Sequence, residues 1–540
     1  MKKQKQIKVS MLVLSMMVIL SIGCSKDDDT QPQTETPEEE TPTAEDNKAP
    51  EISAQTFTAK EDIADDAVIG SIVATDPEGK SLTYILTRNS ADLFELTDGG
   101  DLSLVADKKL DFETVTSHML TIEVSDGKNK TSADITVTVE NVVEPFITTW
   151  ETTIANEEII YQLNDELTYN LTIDWGDGTT DTNITSTPKH TYTESGIHIV
   201  SVSGVLPAVL FKDQSGGGEE RNVAKALTSN ASKLRTIEAW GDNVWESFEE
   251  AFFFCENMTY NAKDIPILSK VTELGSMFYG CNKFNGNINN WDVSKVTNMR
   301  NMFSNASSFN RDLDQWDVSN VTDMSQMFNR ATSFNGNIST WDVSKVERMR
   351  FMFAYATSFN GDISNWNVSK VTTMSTMFSD ATSFNGDISK WDVSNVTDMI
   401  AMFNGATSFN GVISNWNVGK VMNMRIMFAN CTKFNSDISN WNVGNVTNMA
   451  RMFAHATSFN GNISEWDISK VKYMSSMLDY TNLSTTNYDA VLTKWAALPN
   501  LQDNVFLGVQ GLTYCDATSG RSSLINDKKW TITGDTSCPR

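Results

Sequence analysis

Eight tryptophans, Trp291, Trp316, Trp341, Trp366, Trp391, Trp416, Trp441 and Trp466, stand 25 residues apart. The words between them barely change: Trp391 to Trp416 reads "WDVSNVTDMIAMFNGATSFNGVISNW". Phe-Asn pairs recur from Phe284 to Phe459, and Met-Phe doublets from Met277-Phe278 to Met452-Phe453, the last becoming Met477-Leu478. Self-similarity at such a period specifies a solenoid. One unit alone cannot bury enough apolar surface to offset the entropy of ordering its backbone. Stacking can, because each Trp, Phe and Met then packs against its own copy in the next coil.

Within a unit, "WDV" is a candidate short strand. "NVTDMxxMFxxA" has apolar residues at helical spacing, with Asn or Ser near its start as caps. "SFNGDIS" is a turn. The Asn after each Phe (Asn310, Asn335, Asn360, Asn385, Asn410, Asn435, Asn460) has two open readings: an internal ladder satisfying loop backbone groups, or an exposed turn residue. Cys281 and Cys431 fall in the slot held elsewhere by Ala306, Ala331, Ala356, Ala381, Ala406 and Ala456, so they read as small buried residues. The repeated Met-x-x-Met reads as core rather than as a soft-metal site.

The first coil carries "AFFFCENM" (Ala251–Met258). Together with the later units it resembles the BspA-type leucine-rich repeat of bacterial surface proteins. The resemblance implies an α/β leucine-rich-repeat-type solenoid over 213–485 that acts in adhesion and protein binding and holds no catalytic residues. Residues 486–540 break the period and would cap the last apolar face. Framework positions repeat to serve the fold, so those that vary beside each Met-Phe doublet are free for a partner. Phe351, Tyr355, Ile400 and Ile426 form the candidate partner face, with Arg300, Arg330, Arg425 and His455 among the other varying positions.

The N-terminus, "MKKQKQIK" and then an apolar Val9–Gly23, is too short to span a bilayer and reads as a signal peptide over 1–23. Its "LSIGC" ending resembles a bacterial lipoprotein signal, which implies cleavage before Cys24 and lipidation there. "SKDDD" resembles an export signal of surface lipoproteins, so the expected location is the bacterial outer membrane, lipid-anchored and surface-exposed. Residues 24–48, acidic and without a large apolar side chain after residue 26, read as a disordered tether. Cys515 and Cys538 flank the C-terminal segment and are expected to pair in an exported protein.

Residues 49–144 alternate apolar and polar in short runs, as "HMLTIEVSDG" and "ADITVTVENV" do, which specifies an antiparallel sandwich. "TAKEDI", "DPEG", "LDFE" and "SDG" place acids at its turns and resemble a cadherin-like repeat. The resemblance implies calcium as cofactor, with Glu61, Asp111 and Glu113 at one end and Asp76, Glu78 and Asp126 at the other. Oxygen donors from several loops suit a hard cation; solvated turn acids are the other reading. The linker "ENVVEP" departs from the family's Asn/Asp-rich pattern. In 145–212, "DWGDGTT" with "HTYTESGIHIVSVSG" resembles a PKD-like Ig-type sandwich, with Trp175 in its core and Asp177 shaping a turn.

A net charge of −27 argues against nucleic acid as a partner. The four histidines, His118, His190, His198 and His455, lie in three different segments, and no nucleophile–base set, phosphate loop or zinc spacing is legible. These features lead to a surface-anchored binding protein that meets a protein or cell-surface ligand through its solenoid and the membrane through Cys24. Two other readings stand beside it: a glycan-binding or glycan-processing accessory lipoprotein, and a structural surface-layer component.

Overall fold

The computed structural model describes residues 46–112, 114–212 and 230–539. The chain divides into two compact units, one of residues up to 110 with 115–139, the other of 111–114 with 140 onward.

Among the described residues the first unit holds nine strands: β1 (Glu51–Ile52), β2 (Gln55–Lys60), β3 (Gly70–Ser71), β4 (Ala74–Thr75), β5 (Thr83–Arg88), β6 (Phe94–Leu96), β7 (Asp101–Leu104), β8 (Ser117–Ser125) and β9 (Lys130–Glu140). They form a four-stranded sheet, β2–β9–β8–β5, a three-stranded sheet, β3–β7–β6, and a β1–β4 pair. Period-two patterning does the sorting. Leu120, Ile122 and Val124 of β8 and Ile135, Val137 and Val139 of β9 point into the core, against Phe94, Leu102 and Leu104 from the other sheet.

The second unit opens with β10 (Phe146–Thr152), β11 (Glu157–Ile160), β12 (Asn170–Asp174), β13 (Thr180–Ile184), β14 (Lys189–Tyr192) and β15 (Gly196–Val205). The main sheet does not stop at residue 212, where the sequence suggested a boundary. Its order is β13–β12–β15–β10–β16–β17, with β16 (Leu234–Ala239) and β17 (Thr259–Tyr260) drawn from the chain beyond that point. β10 is a central strand, its main-chain groups paired on both edges: β15 runs antiparallel on one side and β16 on the other. Phe211 packs edge-on to Trp150 (5.0 Å) and Tyr161 (4.7 Å), and Trp240 meets Trp291 at 5.4 Å. One continuous core therefore runs from this sheet into the coils.

Each coil repeats the same burial. Trp, Phe, Met, Val and Ile framework side chains are 0–3% exposed from Trp291 to Trp466. Phe328 stacks on Phe353 at 5.6 Å, Phe334 on Phe359 at 5.9 Å, and Trp366 on Trp391 at 6.4 Å with rings 1° apart. Each indole Nε1 from Trp316 to Trp466 donates to a carbonyl 28 residues back, as Trp341 does to Leu313 at 2.8 Å. The alanine slot is fully buried, and the two cysteines in it donate Sγ–H to carbonyls of the preceding coil, Cys281 to Phe252 and Cys431 to Phe403. Burial pushes both thiols well up, away from the thiolate that ligation or attack requires.

Two local expectations are corrected. The "NVTDMxxMFxxA" stretches are chained turns, not helices, so the coils lack the α half of an α/β repeat. "WDV" is not a strand either. The contact between coils falls later, as single parallel bridges in the series Glu273, Asn298, Asp323, Arg348, Thr373, Asp398, Asn423, Asn448 and Tyr473. The physical reason is backbone handedness. Asn301 (φ 60°) and Asn305 (φ 59°) are left-handed, and so are their counterparts in every coil, which no α-helix tolerates. Alternate N–H groups then point at the next coil: Asn301 to Ser325 (3.0 Å), Phe303 to Met327 (2.9 Å), Asn305 to Asn329 (2.7 Å). The N–H groups between them close three-residue turns, as Ser304 does onto Asn301.

The Asn after each Phe satisfies both open readings at once. The residue is exposed from Asn310 to Asn435 and half-buried at Asn460, yet Asn310 Oδ1 accepts from Asn335 N, Asn335 from Asn360, and so on through Asn435 to Asn460, each at 2.8 Å.

The helix Thr485–Ala496, capped by Ser484 accepting from Asn487 N, buries Tyr488, Val491, Leu492 and Trp495 over the last coil. Leu507 of β18 (Phe506–Gly508) bridges to Met474 and so extends the coil ladder into the cap. β18 pairs with β20 (Thr531–Thr533) and β19 (Thr513–Tyr514) with β21 (Thr536–Ser537), all parallel. A disulfide joins Cys515 to Cys538.

Candidate functional site

The left-handed positions make two rows along the coils. One runs Glu250, Ser276, Asn301, Gln326, Phe351, Thr376, Ala401, Ile426, Arg451, Ser476. The other runs Phe254, Gly280, Asn305, Arg330, Tyr355, Asp380, Gly405, Asn430, His455, Tyr480. Their side chains differ from coil to coil, and none is fixed by the framework stacks. A left-handed conformation costs a β-branched residue about 1–2 kcal/mol, so Thr376 and Ile426 sit there against their own preference.

Between the rows, over the first five coils, lies a groove of about 1020 Å³. Aromatic rings occupy its two ends. At one end Phe253 stacks on Tyr279 at 4.8 Å, and Phe254 stands edge-on to Tyr279 at 5.1 Å. Gly280 makes this possible: with φ +71°, a Cβ there would lie 2.4 Å from the Phe254 ring. At the other end are Phe351 and Tyr355, and the Arg330 guanidinium lies 4.5 Å over the Tyr355 ring. Neutral amides line the middle: Asn301, Asn305, Gln326 and Asn329. The amide oxygens of Asn301 and Asn329 are buried without a donor. Among the described lining residues the one carboxylate, Glu250, is paired with Lys212 at 2.9 Å.

The four residues of the candidate partner face therefore separate. Phe351 and Tyr355 line the groove, and Tyr355 is 38% exposed. Ile426 lies on the first row three coils beyond Phe351, outside the groove's lining, and Ile400 sits just before that row, half-buried. Arg330 and His455 fall on the second row, whereas Arg300 and Arg425 do not. Sequence reasoning missed Asn301, Asn305, Gln326, Asn329 and the Phe253–Tyr279 stack. The available signal was variation at fixed offsets from Met-Phe, which marks Gln326 as plainly as Phe351; attention to large side chains hid it.

At the turns of the first unit, Asp76, Glu78 and Asp126 are brought to one end through residues 47 and 48. Asn47 Nδ2 donates to Asp126 at 2.6 Å, Lys48 N to Glu78 at 3.1 Å, and Glu78 N to Asp76 at 3.0 Å. The N–H groups of Asn129 and Lys128 hold the Asp126 carboxyl below its usual range. Asn47 Oδ1 and Asp76 Oδ2 are buried with no partner, two oxygens of the kind calcium takes. Among the described residues, no three His, Cys, Asp or Glu side chains gather as a metal-holding group. The fit to calcium is thus partial and depends on Asn47. Of the other set, Glu61 is buried, Asp111 accepts from Thr114 N and Oγ1 at 2.8 Å, and Glu113 lies outside the described residues, as does Cys24.

Asp177 accepts from Thr179 and from His190 Nε2 (2.8 Å). Burial raises its pKa, but these bonds outweigh it and bring the carboxyl to about 2. Trp175, fully buried, stacks on His190 at 4.8 Å. His198 contacts Thr152 Oγ1, His118 lies 3.4 Å from Ser90 Oγ, and His455 stacks on Tyr480. Each histidine is thus engaged in packing or turn structure. Among the described residues, no helix is long and apolar enough to cross a membrane.

Residues 246–346, 336–422 and 386–495 match the family model described as "Mycoplasma protein of unknown function, DUF285". The coil array accordingly resembles that family over a little under half of the chain. A second likeness is to mouse cadherin-related family member 2, 33% identical over 112 residues, which are 20% of this chain and 8% of that protein. Among solved structures, human protocadherin-24 EC1-2 matches at 28% identity over 19% of this chain and 48% of that one, with a TM-score of 0.17. The human desmocollin-1 ectodomain matches at 18% identity over 30% of this chain and 34% of that one, with a TM-score of 0.18. The chain thus spans less than a tenth of the mouse relative and about half of the protocadherin fragment.

Proposed function

We propose that this chain is a non-catalytic, lipid-anchored surface protein that displays its coil array for adhesion or protein binding. One observation carries the reading: the repeated residues are buried in continuous stacks, while two rows of outward, left-handed positions change from coil to coil and flank a groove. The fold does not need that variation, so a ligand is what it serves. The likeness to a cadherin-related protein supports an adhesive role and, with the orphaned oxygens of Asn47 and Asp76, calcium at the end formed by Asp76, Glu78 and Asp126. The PKD-like segment acts as a spacer, and Cys24 carries the lipid that holds the protein on the outer membrane.

Beads coated with the full chain test this reading against extracellular-matrix proteins and cells. Capture that falls in Phe351→Ala/Tyr355→Ala supports it; capture equal to bare beads overturns it. Metabolic labelling with a radioactive fatty acid tests the anchor, with incorporation abolished by Cys24→Ala. A glycan-binding role is the second reading, favoured by the amides and rings of the groove. A structural surface-layer role predicts self-association without a foreign ligand.

A further inference from the structure

The groove between Phe253 and Tyr355 has a chemistry narrower than "a binding face". Its backbone has little to offer an extended peptide. Ser276, Phe278 and Gly280 already donate to the next coil, and Met277 and Tyr279 close turns within their own. A peptide that adds as a strand needs free main-chain groups, and the N–H groups of this wall are engaged. Recognition must come from side chains. Those in the middle are neutral amides, each both donor and acceptor. Asn301 Oδ1 and Asn329 Oδ1 have no donor at all, and the soft χ2 torsion of Asn lets either swing toward an arriving hydroxyl.

Charge narrows the choice again. Glu250 is paired with Lys212, so no unpaired carboxylate lies among the lining residues, while Arg330 keeps its charge over the Tyr355 ring at one end. At the Tyr355 end the rings of Tyr355, exposed, and Phe351, half-buried, are suited to flat apolar C–H surfaces. Coils that hydrogen-bond to one another stand about 4.8 Å apart. Five of them give a trough about 20 Å long, room for several linked pyranose rings. Hydroxyls along the edges and C–H patches on the faces are the features of an oligosaccharide, and a polar lining made mostly of neutral amides suits an uncharged one.

We infer that the groove lined by Phe254, Tyr279, Asn301, Asn305, Asn329 and Tyr355 binds a neutral oligosaccharide chain. It rests on the display reading above and specifies the ligand class. Free cellotetraose, mannotetraose, xylotetraose and chitotetraose, titrated calorimetrically into the full chain, are the direct probes. A high-mannose glycoprotein, before and after enzymatic removal of its glycans, shows whether the sugar is met free or on a protein.

The expected result is millimolar or tighter binding of at least one neutral probe. Affinity falls about tenfold or more in Tyr355→Ala and in Asn305→Ala, with melting temperatures unchanged. Tyr480→Ala, an exposed tyrosine of the same row outside the groove, leaves affinity as it was. Capture of the glycoprotein that ends with deglycosylation also supports the inference. Failure of all these probes, or binding indifferent to both groove variants, overturns it. Capture of a deglycosylated protein that depends on Tyr355 overturns the sugar while leaving the display reading in place; loss of all ligand capture overturns both.

Discussion

Trp416 Nε1 donates to the carbonyl of Ile388 at 3.1 Å, and its ring lies parallel to that of Trp391, 6.5 Å away. One side chain thus supplies both the apolar stack and the polar tie between consecutive coils. Trp416→Phe keeps most of the packing but leaves a buried carbonyl without its donor, at a cost of about 1–3 kcal/mol. Trp416→Ala adds a cavity and costs about 3–5 kcal/mol. Urea unfolding of the two variants should show this order.

The asparagine ladder makes a weaker, local prediction. Asn385 Oδ1 accepts from Asn410 N at 2.8 Å on an exposed edge. Asn385→Ala should cost about 0.5–1.5 kcal/mol and speed exchange of the Asn410 amide, leaving amides in distant coils protected. Hydrogen exchange resolved to single residues reads it.

The cap should be acid-sensitive. Asp535 is almost fully buried, accepts two bonds from Arg521 at 2.8 Å each, and accepts from Tyr488 Oη at 2.8 Å. Burial raises its pKa, but those bonds outweigh burial and hold the carboxyl below its usual range. A depressed folded-state pKa adds stability at pH values above the ordinary carboxylate pKa near ~4 and loses it as pH falls through the folded value. Thermal melts from neutral pH downward should therefore show a loss in acid. Asp535→Asn should remove part of that slope and cost about 3 kcal/mol at neutral pH, since Arg521 is left partly buried without its partner.

Calcium should stabilise the first unit. If Asn47 Oδ1 and Asp76 Oδ2 are ligand oxygens, adding calcium to the chelator-treated full chain raises the melting temperature of that unit by mass action. Asp76→Asn and Asn47→Ala should each weaken the response, while Asp111→Asn, on the other set of turns, should leave it. No shift at millimolar calcium would assign these acids to turn structure alone.

What the sequence discloses, and what it hides, follow from the same physics. The Trp, Phe and Met stacks, and the buried slot shared by Ala306 and Cys281, are legible because identical environments demand identical residues. The helix expected from Met299, Met302, Phe303 and Ala306 is absent because turns that close on the third residue back repeat apolar side chains at nearly helical intervals. The left-handed residues that rule out a helix, Asn301 and Asn305, match a turn's needs, but Ile426 and Thr376 at the same offsets do not, so no composition signal marks the rows. The sheet that runs past residue 212 is hidden as well: β16 lies beyond a stretch that reads as a boundary, and only its pairing with β10 reveals the join. Of the partner-face residues, Phe351 and Tyr355 were visible as large side chains at varying positions, whereas the amides beside them were too ordinary to single out.

The coil array divides its labour between a repeating framework and varying rows. A substitution scan of residues 250–480 in the full chain, scored in parallel for protease resistance and for ligand capture, tests it most directly. The expected map puts stability losses on the 25-residue framework and capture losses, without stability loss, on the rows from Phe254 to Tyr355. Capture losses confined to framework positions, or scattered over the asparagine-ladder edge, would contradict it.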